Sequence, residues 1–142
     1  MQEKQNIPHF KKIELERTPC NGVCPVYRLE ILADGTVNYE GDYYVEKQGS
    51  FSWKLDPANI KKLQNAITKA NYFDIQEKDS MYSMTCMAGC NTTITMDDGR
   101  KRTIENYHGD DKFPRSLKSL ENAIDRISGV LSYVGKRIDL LA

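Results

Sequence analysis

The stretch Val26–Gly41, VYRLEILADGTVNYEG, decides the fold, because only one hairpin register suits it. Tyr27, Leu29 and Ile31 alternate with Arg28 and Glu30. A two-residue turn at Asp34-Gly35 would set Ile31 against Asn38 and Leu29 against Glu40. A three-residue loop, Ala33 to Gly35, sets Ile31 against Val37 and Leu29 against Tyr39. Side chains alternate with period two, so only the second register gathers the apolar residues on one face. Gly35 then takes the left-handed position that such a loop requires. Gly41 marks a bulge.

Further elements follow on both sides. Upstream, KIELE places Ile13 and Leu15 on one side of a short strand, after a polar loose arm over residues 1–12 that carries Pro8. Downstream, FSWKL alternates Phe51, Trp53 and Leu55 as a third strand of the meander. Asp56-Pro57 opens a helix, with Asp as N-cap and Pro at the first position. Ile60, Leu63, Ala66, Ile67 and Ala70 recur on one face of it, and Asn71 caps its C-terminus. The plan then repeats. CNTTITMDDGRKRTIENY forms another strand pair around an Asp97-Asp98-Gly99 loop, with Ile94, Met96 and Ile104 on one face. A helix from Pro114 turns Leu117, Leu120, Ala123, Ile124 and Ile127 inward, and Ser128-Gly129 ends or kinks it.

The two helices read PANIKKLQNAI and PRSLKSLENAI, and each half also carries C-x-x-x-C, Asp-Gly and Tyr-x-Gly-Asp in the same order. The expectation is an α+β fold: one antiparallel meander sheet with two amphipathic helices on one face. It forms a single domain over residues 13–142, built from duplicated hairpin-plus-helix units at about 13–73 and 84–134. Arg28, Glu30, Asn38, Glu40, Thr93 and Thr103 fall on the other, wet face.

Composition narrows the function classes. The 142 residues carry 20 basic and 20 acidic side chains, so the formal net charge is zero. There is no polybasic run to suit nucleic acid or an anionic membrane. No apolar run is long enough to span a bilayer. The opening MQEKQNIPHFKKIELE lacks the apolar core of a secretory signal, which fits either a cytosolic protein or one that begins after a removed signal.

RTPCNGVCPVYRLEILADGTVNYEG resembles the opening of an uncharacterised bacterial family of domains of unknown function. The pattern is R-T-x-C-x-G-x-C-P-x-Y, carried here by Arg17, Thr18, Cys20, Gly22, Cys24, Pro25 and Tyr27. The hairpin D-G-T-V-x-Y-x-G follows at Asp34, Gly35, Thr36, Val37, Tyr39 and Gly41, and a late L-x-x-L-x-x-x-I-D helix runs from Leu117 to Asp125. The resemblance implies that many relatives are envelope proteins or lipoproteins, and it implies no activity, substrate or catalytic residue. Cys86 and Cys90 stand where such relatives would carry a polar D-x-P segment.

The cysteines form two C-x-x-x-C pairs, Cys20 with Cys24 and Cys86 with Cys90. Asn21-Gly22 and Ala88-Gly89 supply turns that can bring a pair within disulfide reach. An even count in local pairs favours disulfides and a periplasmic or envelope location over the cytoplasm. Four converging thiolates would instead hold zinc. MYSMTCMAGCNTTITM adds Met84 and Met87, whose thioethers with the nearby cysteines suit copper(I). Inert buried thiols and a redox pair are the remaining readings. His9 and His108 sit in polar loops and are expected to be solvated. Nothing brings together a nucleophile, a base and an oxyanion donor, so no catalytic residue is assigned. Tyr43, Tyr44 and Trp53 are candidates for an exposed aromatic binding surface.

These readings favour a non-catalytic binding or interaction module of the bacterial envelope, with no cofactor and an unknown protein or small ligand as partner. The alternative is a thiol site that binds zinc or copper or does redox work.

Overall fold

Ile31 stands opposite Val37 and Leu29 opposite Tyr39, the register that the apolar alternation demands. The protein, described by a computed structural model over residues 9–79, 87–109 and 111–135, builds its sheet outward from this hairpin. The strands are β1 (Phe10–Arg17), β2 (Val26–Leu32), β3 (Thr36–Tyr43), β4 (Gly49–Lys54), β5 (Gly89–Met96) and β6 (Lys101–Tyr107). Helix α1 (Pro57–Ala70) joins β4 to β5, and α2 (Arg115–Ser128) follows β6, with a single turn α3 (Leu131–Val134) behind it. The sheet order is β4-β3-β2-β1-β5-β6, and every neighbouring pair is antiparallel. The fold is α+β.

The first strand in the chain is the central one. Ile13 and Leu15 are fully buried, with β2 on one side and β5 on the other. The strand starts earlier than the expected arm over residues 1–12 allows. Phe10 is buried, and its N–H donates to the buried Gln64 Oε1 of α1 at 2.7 Å. That long-range hydrogen bond draws Phe10 into the sheet, and the sequence around it gives no sign of the pairing.

Both hairpin loops use one device. Gly35 and Gly99 take positive φ of 98° and 97°. Asp34 and Asp98 each accept a hydrogen bond from the N–H two residues on, at 2.9 and 3.1 Å. Those backbone hydrogen bonds hold both carboxyls below their ordinary pKa. The hairpins leave β1 in opposite directions across the sheet, however. Counted from their loops, Leu32 corresponds to Met96, yet Met96 is buried and Leu32 is half-exposed. Relating two hairpins that diverge from one strand takes a rotation about the strand axis, which exchanges the faces. The units therefore share element order, loop chemistry and helix sequence, while their strands turn opposite sides to the helices.

α1 begins and ends as its sequence dictates. The Asp56 side chain accepts from Asn59 N–H, Pro57 opens the first turn, and Asn71 closes the helix at φ 55°. Gly129, at φ 82°, closes α2. Leu63 and Ile67 from α1 and Leu117, Leu120 and Ile124 from α2 join the strand residues in one apolar core. At β4 the Trp53 ring stacks on Tyr133, centroids 4.3 Å apart, and Trp53 Nε1 donates to the Ser128 carbonyl at 2.8 Å. This pins the last turn of α2 to the sheet.

Candidate functional site

The core is not wholly apolar. Cross-strand register places Tyr27, Arg17, Cys90 and Asn106 in one row across β2, β1, β5 and β6. All four share the helix-covered face with Leu29, Leu15, Thr92 and Ile104, because side chains alternate along each strand. Above them α2 presents Glu121, Asp125 and Ser128, all buried and at the i, i+4, i+7 spacing of one helix face. An Arg17 Nη donates to Asp125 Oδ2 at 2.5 Å, and the other lies 4.0 Å from Glu121 Oε1. Glu121 Oε2 accepts from Asn106 Nδ2 at 2.9 Å, and His108 Nε2 lies 3.0 Å from Glu121 Oε1. Among the described residues, Arg17 Nε, Tyr27 Oη and Asp125 Oδ1 are buried without a hydrogen bond of good geometry.

Burial and charge oppose each other in this cluster. Burial works against the Arg17 charge, but Asp125 and the surrounding groups more than restore it, so its pKa rises. Burial pushes the Asp125 carboxyl up against the pull of Arg17. The Tyr27 phenol is raised by burial and then by Asp125. Cys90 is raised by burial, with Arg17 opposing. A buried, neutral Cys90 thiol is a poor nucleophile and a poor metal ligand.

The disulfide lies just outside this row. Cys20 and Cys24 are bonded to each other, with Cα atoms 5.8 Å apart, in the connection between β1 and β2. Thr18 N–H donates to the Gly89 carbonyl at 3.1 Å, and Gly89 N–H returns to Thr18 Oγ1 at 2.8 Å. The two cysteine segments are thus neighbours, as a shared thiol site would need. Cys20 and Cys24 bind one another and Cys90 is a free, buried thiol. Cys86 and Met84 lie outside the described residues, and Met87 is exposed. Among the described residues no group of three or more His, Cys, Asp or Glu side chains is placed to hold a metal ion.

The aromatic candidates divide. Tyr43 and Tyr44 are 63% and 45% exposed at the end of β3. Trp53 is half-buried and given over to packing on Tyr133. His108 differs from the solvated loop residue expected, because Glu121 draws it against α2. Sequence reasoning passed over Arg17, Glu121 and Asp125 as a group. The signal was present as a polar stripe, Glu121, Asp125 and Ser128, running beside the apolar positions of α2.

Among the described residues nothing covers the sheet face away from the helices. It forms a groove of about 490 Å³ whose walls include Glu14, Glu16, Arg28, Glu30, Asn38 and Glu40. Ser52 Oγ donates to Asn38 Oδ1 at 2.7 Å and Asn38 Nδ2 to Glu30 Oε1 at 2.9 Å. Lys12 sits between Glu30 and Glu14 at 3.7 and 3.8 Å, and Arg28 pairs with Glu40 at 2.7 Å. The polar side chains thus form a connected lattice over β4, β3, β2 and β1.

The profile of a family described as a domain of unknown function, DUF6438, matches residues 11–128. The chain belongs to the DUF6438 family. The match takes in Arg17, the disulfide, Tyr27 and the whole of α2, so the DUF6438 region contains the complete buried cluster. No curated protein matches this DUF6438 chain. The opening pattern and the late helix quoted from the sequence meet in space, where Arg17 and Tyr27 of the first face Asp125 of the second.

Proposed function

We propose that this DUF6438 domain is a non-catalytic binding or interaction module of the bacterial envelope, and that it takes its ligand on the uncovered sheet face. The polar groove over β1–β4 is the observation that supports the reading. Both helices pack on the opposite side, so the groove can be altered without touching the core. Its carboxylates, Glu14, Glu16, Glu30 and Glu40, outnumber the two cations paired with them, Arg28 and Lys12, and suit a ligand rich in positive charge or hydrogen-bond donors. The Cys20–Cys24 disulfide supports an oxidising compartment.

The test is an amide chemical-shift titration with defined probes: spermidine, an oligolysine peptide and neutral oligosaccharides. Saturable shifts confined to outward-facing residues of β1–β4, abolished in Glu30→Lys/Glu40→Lys, would support the module. Shifts that gather at Tyr43 and Tyr44, or that persist in the double variant, would remove the groove from consideration. The alternative, a thiol site for zinc or copper or for redox work, is tested by elemental analysis with intact mass before and after reduction. Stoichiometric metal would favour it over the binding module.

A further inference from the structure

We infer that the Cys20–Cys24 disulfide is a redox-responsive clasp whose state is passed to helix α2 through Arg17. Arg17 is the last residue of β1, and its cross-strand partner Tyr27 lies near the start of β2. Everything between them is the connection that the disulfide closes. Both partners of this pair face the buried Asp125. The disulfide therefore restrains the one segment that joins the two strand ends holding α2.

The bond is within reach of an exchanging thiol. Cys20 and Cys24 are half-buried, whereas Asn21, Gly22 and Val23 between them are exposed. The reductant is a dithiol, either a small molecule or a protein. One of its thiolates attacks a cysteine Sγ and forms a mixed disulfide, while the Sγ–Sγ bond breaks and the other cysteine leaves as thiolate, which takes up a proton. The second thiol of the reductant then attacks the mixed disulfide, freeing the remaining cysteine. Two electrons pass to the protein, and the reductant ends as a disulfide.

Reduction lengthens the free chain between Arg17 and Tyr27 and so increases its conformational freedom. Thr18 still has its hydrogen bonds to Gly89, so the sheet end stays in place. What loosens is the placement of the guanidinium on Asp125, a carboxylate that burial penalises unless it is paired. α2 is held there by Arg17 and, further along, by Trp53 at Ser128. Helix opening is thereby coupled to the redox state of a loop that makes no direct hydrogen bond to that helix among the described residues.

Hydrogen exchange on the intact chain tests this, with and without dithiothreitol. Reduction should speed exchange of α2 amides on the order of tenfold and leave those of β3 unchanged. Cys20→Ser/Cys24→Ser should reproduce the effect without reductant. In Arg17→Lys, α2 should already exchange faster, and reduction should add little, because both changes act on one contact. Faster exchange confined to residues 18–25 would overturn the inference. So would a full reduction effect on α2 in Arg17→Lys. The wild-type comparison stands even if a variant fails to fold.

Discussion

Arg17 is the residue on which the interior depends most. It brings a positive charge to two buried carboxylates on α2, and its removal leaves Asp125 buried without its ion-pair partner. Arg17→Ala should cost about 3–5 kcal/mol in denaturant unfolding at neutral pH. Without the pull of Arg17, burial raises the Asp125 carboxyl further, so just above the ordinary carboxylate range the folded state binds more protons than the unfolded state. The stability of that variant should therefore increase as pH falls toward the ordinary carboxylate range. The buried tyrosines offer a sharper contrast. Tyr27 Oη faces Asp125 without a hydrogen bond of good geometry among the described residues, whereas Tyr72 Oη lies 3.2 Å from the Thr92 carbonyl and 3.1 Å from that of Arg102. Tyr27→Phe should change stability by less than about 1 kcal/mol, and Tyr72→Phe should cost about 1–3 kcal/mol. Burial pushes Tyr39 and Tyr72 up to about 12, from an ordinary 10.0. Between those values the unfolded state loses protons that the folded state keeps, so stability falls as pH rises through that window. An absorbance titration of the phenolates should show these rings ionising together with unfolding.

At the scale of the element, glycines and caps carry the local specification. Tyr39 Oη donates to the Lys47 carbonyl at 2.9 Å, directly over Gly41. A Cβ there would meet both groups, beside the register shift between Val26 and Tyr27. Gly41→Ala should destabilise by about 1–3 kcal/mol, by crowding rather than by φ strain. Asp56→Ala removes the α1 cap and should cost about 1 kcal/mol, measured as a shift in unfolding midpoint. These features were legible in the sequence because they are local: the Ile31–Val37 register, the bulge near Gly41, Asp56-Pro57 and Asn71 all depend on neighbours in the chain. The buried cluster was not, since Arg17 and Asp125 are 108 residues apart. A charged residue on an amphipathic helix is ordinarily assigned to its wet side. Only the fold shows that Glu121 occupies the inward position that Gln64 holds on α1, and that both are buried.

At the scale of the molecule, stability should be graded from the centre of the sheet outward. β1 is paired on both edges and buries Ile13 and Leu15 in the core, whereas no residue of β4 is fully buried. Amides of β1 and β5 should exchange only through global unfolding, and those of β4 by local opening. If β4 exchanged as slowly as β1, the graded picture would fail. The sequence announced a meander and a second hairpin but not their join, because the β1–β5 pairing is set by nothing short-range.

That join has a consequence for synthesis. β1 is made first, yet one of its edges stays open until β5 arrives, after the meander and α1 have been completed. A nascent chain ending near Asp79 would carry an unpaired hydrogen-bonding edge flanked by apolar side chains, the kind of surface that recruits another copy. Safe passage to the native state then depends on how fast the segment carrying β5 is delivered, or on a chaperone that shields the waiting strand.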